Sequence, residues 1–546
     1  MLKEYFWIAV FGVLLNAGLI FANSAGFFPM GLAAFAGAFL FFLVISLKKP
    51  AWVFWIFIIL IPLERVIISS QEIPFSLRPF QFVGIALIFA LIIKFFFRVA
   101  FFRKISFSQK VAGFQKTISK IKTLSDKQDY LVFIFIAIAA FSISNAPNRE
   151  VSLKQFLVLL SFGALYVLSR YFFQQKNKLQ EALWFFVATS LPVLIFGLYQ
   201  AVAPHFNWPD FQIFSGRVNS TFAEPDWFGV YLVFLAAIIY WLKLQLFKTN
   251  NETMVASWEL RKAGQWAANI YLSFVFLVLL LTVARSAWAG FAGITVIYFF
   301  LLWRQGRIYF QKRLYPKKFF REGLSLSILY AVSMALILVF NLSQFHFLNR
   351  AGSSLSGMEK ITISCNQGSS VPDKINKIDE LNQYECEHIK LEEISEEKEK
   401  GKLVREVFRP DPNVEIRKEI YAKTWQSIKK HPLIGQGLGS SSEILGEDDH
   451  GHGYNASNIF LEVWISTGLA GLAVFCGLFL WPAFTALRLL MRNSKLNYGL
   501  NIFIILSTAA FLVPNLFNAG VFLGVFWVWL AIIAGYQTSS QKVKTS

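Results

Sequence analysis

Charge is what this chain has least of: only 16% of its 546 residues are Asp, Glu, Lys or Arg, against 55% hydrophobic and 17% aromatic. Together with a mean hydropathy of +0.51, that poverty excludes a water-soluble domain of this size and makes the chain a polytopic membrane protein. Acid is scarcer than base, 33 residues against 52, for a net charge of +19. The basic residues line loops beside apolar stretches and do not gather on one soluble face, so the partner implied is anionic membrane lipid and not nucleic acid. Cysteine is nearly absent too. Cys476 lies inside an apolar stretch, and only Cys365 and Cys386, 21 residues apart in one long polar segment, leave a disulfide open. The first apolar segment has only Lys3 as its basic flank, too little for a cleaved leader, and reads as a retained helix.

What is abundant is apolar runs of about 20 residues, the length that crosses a ~30 Å hydrocarbon core. Fourteen are found, near 5–23, 27–47, 51–68, 79–97, 129–146, 153–171, 179–203, 227–247, 267–284, 287–303, 323–343, 458–487, 498–517 and 519–536. The fold class expected is all-α, with about 12–14 transmembrane helices. Only Arg285 and Ser286 separate the ninth and tenth runs, so one broken helix remains an alternative that would invert every later loop. Charge sorting favours the even count with both termini cytoplasmic. Of the 52 basic residues, 31, among them Arg170 and Lys243, then fall in cytoplasmic segments, and 15 more sit in the long loop. The short outward loops keep only Arg65, Arg78, Arg149, Lys154, Arg217 and Arg285. Glu64 and Arg65, which interrupt an apolar run, are expected to pair with each other.

The chain therefore divides into 1–343, eleven helices with basic cytoplasmic loops; 344–457, a large extracytoplasmic loop; 458–536, three further helices; and a tail, 537–546. The loop holds 19 of the 33 acids, and its middle, from about Ser353 to Pro412 with the run EEISEEKEK, reads as a solvated insertion, partly disordered or peripherally helical. Next, VEIRKEIYAKTWQSIKK (Val414 to Lys430) spaces Ile416, Ile420, Trp425 and Ile428 as an amphipathic helix along the membrane interface. It leads into HPLIGQGLGS, whose Gly435, Gly437 and Gly439 spell GxGxG. No strand precedes them and no crossover unit surrounds them, so a tight turn or re-entrant loop is expected here and not a nucleotide cradle.

HPLIGQGLGS, followed after a polar gap by NIFLEVWISTGLAGL, resembles the carboxy-terminal signature of the O-antigen ligase and O-antigen polymerase superfamily. The resemblance implies a multi-pass protein of the bacterial cytoplasmic membrane. Such a protein transfers a glycan from an undecaprenyl-diphosphate-linked oligosaccharide to a hydroxyl of a glycan, lipid or glycoprotein acceptor. It implies no cofactor and no metal. A polymerase joining two lipid-linked repeats is the alternative within the class; a polytopic solute transporter is the alternative outside it, weakened by the lack of internal repeats and of paired broken helices.

Such a transfer needs cations to hold the diphosphate and a base for the acceptor proton. Arg285, in LLTVARSAWAG, breaks an apolar run where charge is costly, and Arg217, in RVNSTFAEPDWFG, opens a segment similar to the family's arginine-led block. Guanidinium suits phosphate because its donors are planar and bidentate. Arg417 aligns with a further arginine the family often carries. Members commonly show a histidine, then asparagine, serine or glutamine, then nine residues and GxxG. Here Asn458, Gly468 and Gly471 fit, but Ser457 stands where the histidine would be. Serine alone is a poor base, so His452 is the first candidate and His450 the second, with Asp448, Asp449 and Glu224 as other ionisable groups on the same side. Glu462 matches the signature. The two glycines are expected to permit helix packing, and Asn458 to cap its helix or line the site.

Overall fold

In the computed structural model the chain is 75% helical. The structure describes residues 2–70, 72, 76–102, 127–173, 176–214, 216–248, 258–309, 315–343, 352, 357–366, 368, 371–376, 378–389, 394–446, 453–492, 498–520 and 523–545. The first helices are α1 (Leu2–Ser24), α2 (Leu32–Lys48), α3 (Pro50–Leu60), α4 (Pro79–Phe102), α5 (Lys127–Ser142) and α6 (Arg149–Phe172). They are followed by α7 (Lys176–Thr189), α8 (Leu191–Val202), α9 (Pro225–Lys248), α10 (Trp258–Leu281), α11 (Arg285–Tyr309) and α12 (Tyr315–Val339). An inserted module comes next: β1 (Met358–Cys365), β2 (Cys386–His388), α13 (Ile394–Glu399) and β3 (Leu403–Pro410). The chain closes with α14 (Pro412–Lys430), α15 (Ser440–Leu445), α16 (Ile459–Met491), α17 (Tyr498–Asn515) and α18 (Gly524–Thr545).

Eleven helical segments among the described residues are long and apolar enough to cross a membrane, and three shorter apolar ones accompany them. Every one of the fourteen apolar stretches falls on one of these helices. The third contracts most, because α3 stops at Leu60 just before Pro62, whose ring cannot continue a helix. The seventh combines α7 and α8, which meet at Ser190.

The bundle is built around α9, whose apolar window is 94% buried, whereas those of α1 and α12 are only 17% and 22% buried and turn their side chains outward. Helices α10, α11 and α17 pack against α9. Close approach is possible there because the contacting residues are small. A Cβ added at Gly229 on α9 would stand 2.6 Å from Ala287 Cβ, and one at Gly290 on α11 would stand 2.6 Å from Pro514 of α17. Exposed Phe95, Phe96, Phe97, Val296 and Phe300 lie on outward faces, as expected of surfaces that meet lipid tails and not water.

The break at Arg285 is a reversal, not a kink. Val283 takes a left-handed φ of 53°, the Phe276 and Phe291 rings on either side lie 5.0 Å apart, and Trp288 Nε1 donates to Leu279 O at 3.2 Å. Residues 15 positions apart along one broken helix could not meet in this way, so α10 and α11 are two segments side by side.

Three sequence expectations are corrected. Arg170 and Lys243, counted with the loop cations, are buried at 1% and 0% exposure. Arg170 is held by Asp129, with Nε at 3.2 Å, and Tyr166 donates to the same carboxylate at 2.5 Å. Lys243 is bonded to Glu322 and Asn269, and Tyr298 donates to Glu322 at 3.0 Å. Burying each charge against an opposite one is the only affordable arrangement in lipid. Glu64 and Arg65 part company: Arg65 Nη1 donates to Phe211 O at 2.7 Å, while Glu64 is buried and accepts from Gly524 N at 3.4 Å. Finally, the described residues of the acidic tract are not simply a solvated or peripherally helical insertion. They fold into a three-stranded antiparallel sheet of order β2–β1–β3, with Ile361, Ile363, Val371, Ile375, Leu381 and Val407 as its own core. Cys365 and Cys386, which face each other in register across β1 and β2, form a disulfide.

Candidate active site

The glycine loop after α14 is locked to α16 mainly through backbone, with Trp464 Nε1 also donating to Pro432 O at 3.1 Å. Within α16, Gly468 departs from helical geometry (φ 72°, ψ −176°), which frees carbonyls one turn earlier. Gln436 N donates to Ile465 O at 2.8 Å, Gly437 N to Ser466 O at 2.9 Å, and Leu469 N to Pro432 O at 2.8 Å. Gly435 (φ 77°) and Gly468 cross so closely that a Cβ on Gly435 would lie 2.4 Å from Gly468 N. Gly435 therefore serves a close backbone crossing, Gly437 and Gly439 lie against Ser152 and Gln155 of α6, and the orphaned groups of the broken helix are satisfied by the loop.

Asn458 caps α16, accepting from Phe460 N at 2.9 Å and Leu461 N at 3.2 Å, while its Nδ2 donates to Leu516 O just beyond α17. Ser457, the residue before the cap, has a left-handed φ of 49°, and its N–H donates to Asn455 Oδ1 at 2.9 Å. Glu462 is half-buried and both its oxygens are engaged, accepting from Ser441 Oγ at 2.7 Å and Ala456 N at 2.8 Å. It ties α15 to the approach of α16 and acts as a strut. Gly471 faces Thr467 and Ile138, which is a packing contact.

Two arginines attach to the reversal between α10 and α11. Arg285 is the first residue of α11; its Nη1 donates to Asp411 Oδ2 at 2.9 Å. Arg217 approaches from the segment before α9, with Nε donating to Thr282 O at 3.2 Å and Nη2 to Asp226 Oδ2 at 3.0 Å. Thr282 is three residues from Arg285, so the Arg217 guanidinium is held at the same reversal from which the Arg285 side chain leaves. Their side chains remain 21% (Arg217) and 26% (Arg285) exposed, within reach of a ligand.

The third arginine, Arg417 on α14, lies with its guanidinium carbon 6.0 Å from the Phe517 ring centroid. Phe517 adjoins Leu516, to which Asn458 is bonded, so Arg417 and Asn458 share the end of α17. The contact of Gly290 with Pro514 ties that end to α11. Glu224 is half-buried immediately before α9, where its carbonyl accepts from Phe228 N at 3.1 Å; the carboxylate that meets Arg217 is Asp226 instead. His450 and His452 lie outside the described residues, as do Asp448 and Asp449. Sequence reasoning passed over Asp411 and Asp226. The only signals were that each stands at the start of a helix, one beside a proline pair and the other nine residues after Arg217.

Among the described residues no group of three His, Cys, Asp or Glu side chains is placed to hold a metal ion. What the reversal offers chemically is two planar cations from separate elements, each oriented by a carboxylate, an arrangement suited to a diphosphate.

Compared with known proteins, residues 270–476 match the model of the O-antigen ligase family. Over that stretch, which includes Arg285, Asp411, Arg417, Ser457, Asn458 and Glu462, the similarity to the O-antigen ligase superfamily is shown; Arg217 and Asp226 lie before it. No curated protein matches the chain.

Proposed function

We propose that this chain, a multi-pass membrane protein whose O-antigen ligase match supports a glycan ligase or polymerase role, transfers a glycan from undecaprenyl diphosphate to an acceptor hydroxyl at the outer face of the bacterial cytoplasmic membrane. The observation that carries the reading is that Arg217 is bonded to Thr282 O at the α10–α11 reversal, three residues before Arg285. In this reading the diphosphate lies against the two guanidinium groups, whose charge is opposite to that which grows on the leaving group. The acceptor oxygen attacks the anomeric carbon, the bond from that carbon to the phosphate oxygen breaks, and undecaprenyl diphosphate departs with the electron pair. The acceptor proton passes to an imidazole, His452 first and His450 second, because Ser457 has no basicity of its own. Arg417 and Asn458 border the same end of the bundle and are assigned to the acceptor side. Ligation and polymerisation differ only in what acceptor arrives.

The test is release of undecaprenyl diphosphate by the purified protein in liposomes, given lipid-linked oligosaccharide and acceptor lipids from its own host. Wild type releases the carrier, and Arg285→Ala releases it at least about 100-fold more slowly, the loss typical of removing one preorganised donor to a developing anion. Equal release by both proteins, or none from wild type, refutes the assignment.

A further inference from the structure

Asp411 joins the end of the inserted sheet to the helical bundle through Arg285. It is only 2% exposed, it receives Arg285 Nη1 at 2.9 Å, and its own N–H donates to Gly357 O at 3.0 Å. Gly357 precedes β1 and Pro410 ends β3, and Met358 and Pro410 are cross-strand partners. The carboxylate is thus presented from the paired ends of two strands. β1 is closed in turn onto β2 by the Cys365–Cys386 disulfide. On its other side Asp411 runs directly into α14, anchored by Ile420 and Ile428, both under 5% exposed.

A long arginine side chain has many rotamers, and a partner selects one of them only if its own backbone is fixed. The sheet supplies that fixity, and Arg285 is the cation it reaches. Resting on the reading of Arg285 as a diphosphate ligand, we propose that Asp411 is a positioning residue. It aims the Arg285 guanidinium at the donor, and the disulfide-closed sheet, more than α11 itself, sets that aim. The module inserted between α12 and α14 is then part of the donor site, acting through the Asp411 carboxylate.

The sign of one measurement separates this from plain electrostatics. A carboxylate beside Arg285 reduces the positive charge offered to a diphosphate, so if charge alone mattered, Asp411→Asn would bind the donor more tightly. Positioning predicts the reverse. In liposomes with lipid-linked oligosaccharide, KM for the donor rises at least about fivefold in Asp411→Asn, as expected when a buried charge loses its hydrogen-bonded partner. In the same variant kcat falls as well, since Arg285 also faces the leaving group; Asp411→Glu recovers most of both, and the paired Cys365→Ser, Cys386→Ser variant moves KM in the same direction. An unchanged or lower KM in Asp411→Asn overturns the proposal.

A second readout needs no turnover: the rate at which phenylglyoxal modifies Arg285, followed by mass spectrometry with Arg217 as internal reference. The proposal requires a faster rate at Arg285 alone in Asp411→Asn. No change, or an equal rise at both arginines, overturns it. If Arg285 labelling rises selectively while wild type releases no undecaprenyl diphosphate, the Asp411–Arg285 relation stands and the transferase reading falls.

Discussion

Replacing Gly435 by alanine tests how tightly the glycine loop is bound to the broken helix α16. A Cβ there would lie 2.4 Å from Gly468 N, 2.6 Å from Thr467 N and 2.7 Å from Ser466 C, all backbone atoms that no rotamer change can move. Restoring ordinary contact means separating loop and helix by about 1 Å. That stretches the Gln436–Ile465 and Gly437–Ser466 hydrogen bonds beyond bonding distance, at roughly 1 kcal/mol each. The left-handed φ of 77° adds about 1–2 kcal/mol once a Cβ is present. The expected loss is therefore about 3–4 kcal/mol. Gly26 provides the control, since it has the same φ of 77° with open space around it; Gly26→Ala should lose only the dihedral part, about 1–2 kcal/mol. Reversible unfolding of both variants in detergent, titrated with sodium dodecyl sulfate, gives the comparison. If Gly435→Ala costs no more than Gly26→Ala, the loop is not held by this crossing and the account of α16 fails.

Asp129→Ala leaves the Arg170 guanidinium buried without its counter-charge and should destabilise the fold by about 3–5 kcal/mol; converting the pair to Leu and Met together should recover most of that, measured by the same titration. On α13 of the inserted module, Glu397 is held at a pKa of about 2, first by the Lys400 hydrogen bond and then by Ser364 of β1 and Lys402. Because the folded value lies below the unfolded one of roughly 4.3, its contribution is present above that pH and is lost as the pH falls toward 2. Pepsin cleavage of the module should therefore accelerate between about pH 4.5 and 2.5 in wild type, and Glu397→Gln should flatten that rise. Identical pH profiles would show that the carboxylate is not coupled to the sheet.

The helices were legible because a membrane span needs only local information, an apolar run of sufficient length. The reversal at Val283 was legible only indirectly: Arg285 and Ser286 mark a break and the sorting of Lys and Arg favours a turn back, while the contact that holds it, Phe276 meeting Phe291, has no local signal. The sheet was hidden for a different reason. β1 alternates Ile361, Ile363 and Cys365 inward, but its longest pairing is with β3, some forty residues on, and the intervening acids read as a solvated tract. Arg217 and Arg285 stood out because charge beside apolar helices is expensive. Their carboxylate partners, Asp226 and Asp411, did not, since an aspartate at a helix start is ordinary until its neighbour is known.

The Lys243–Glu322 pair bears on how the protein is made. Lys243 belongs to α9 and Glu322 to α12, 79 residues later in the chain. At about 5–20 residues per second the ribosome needs roughly 4–16 s to supply the second charge after the first. Throughout that interval α9 carries an uncompensated ammonium that hydrocarbon rejects. Helices α9 to α12 should therefore wait beside the insertion machinery and partition into the bilayer together, so that the most deeply buried helix of the finished bundle is among the last of its group to leave the translocation channel.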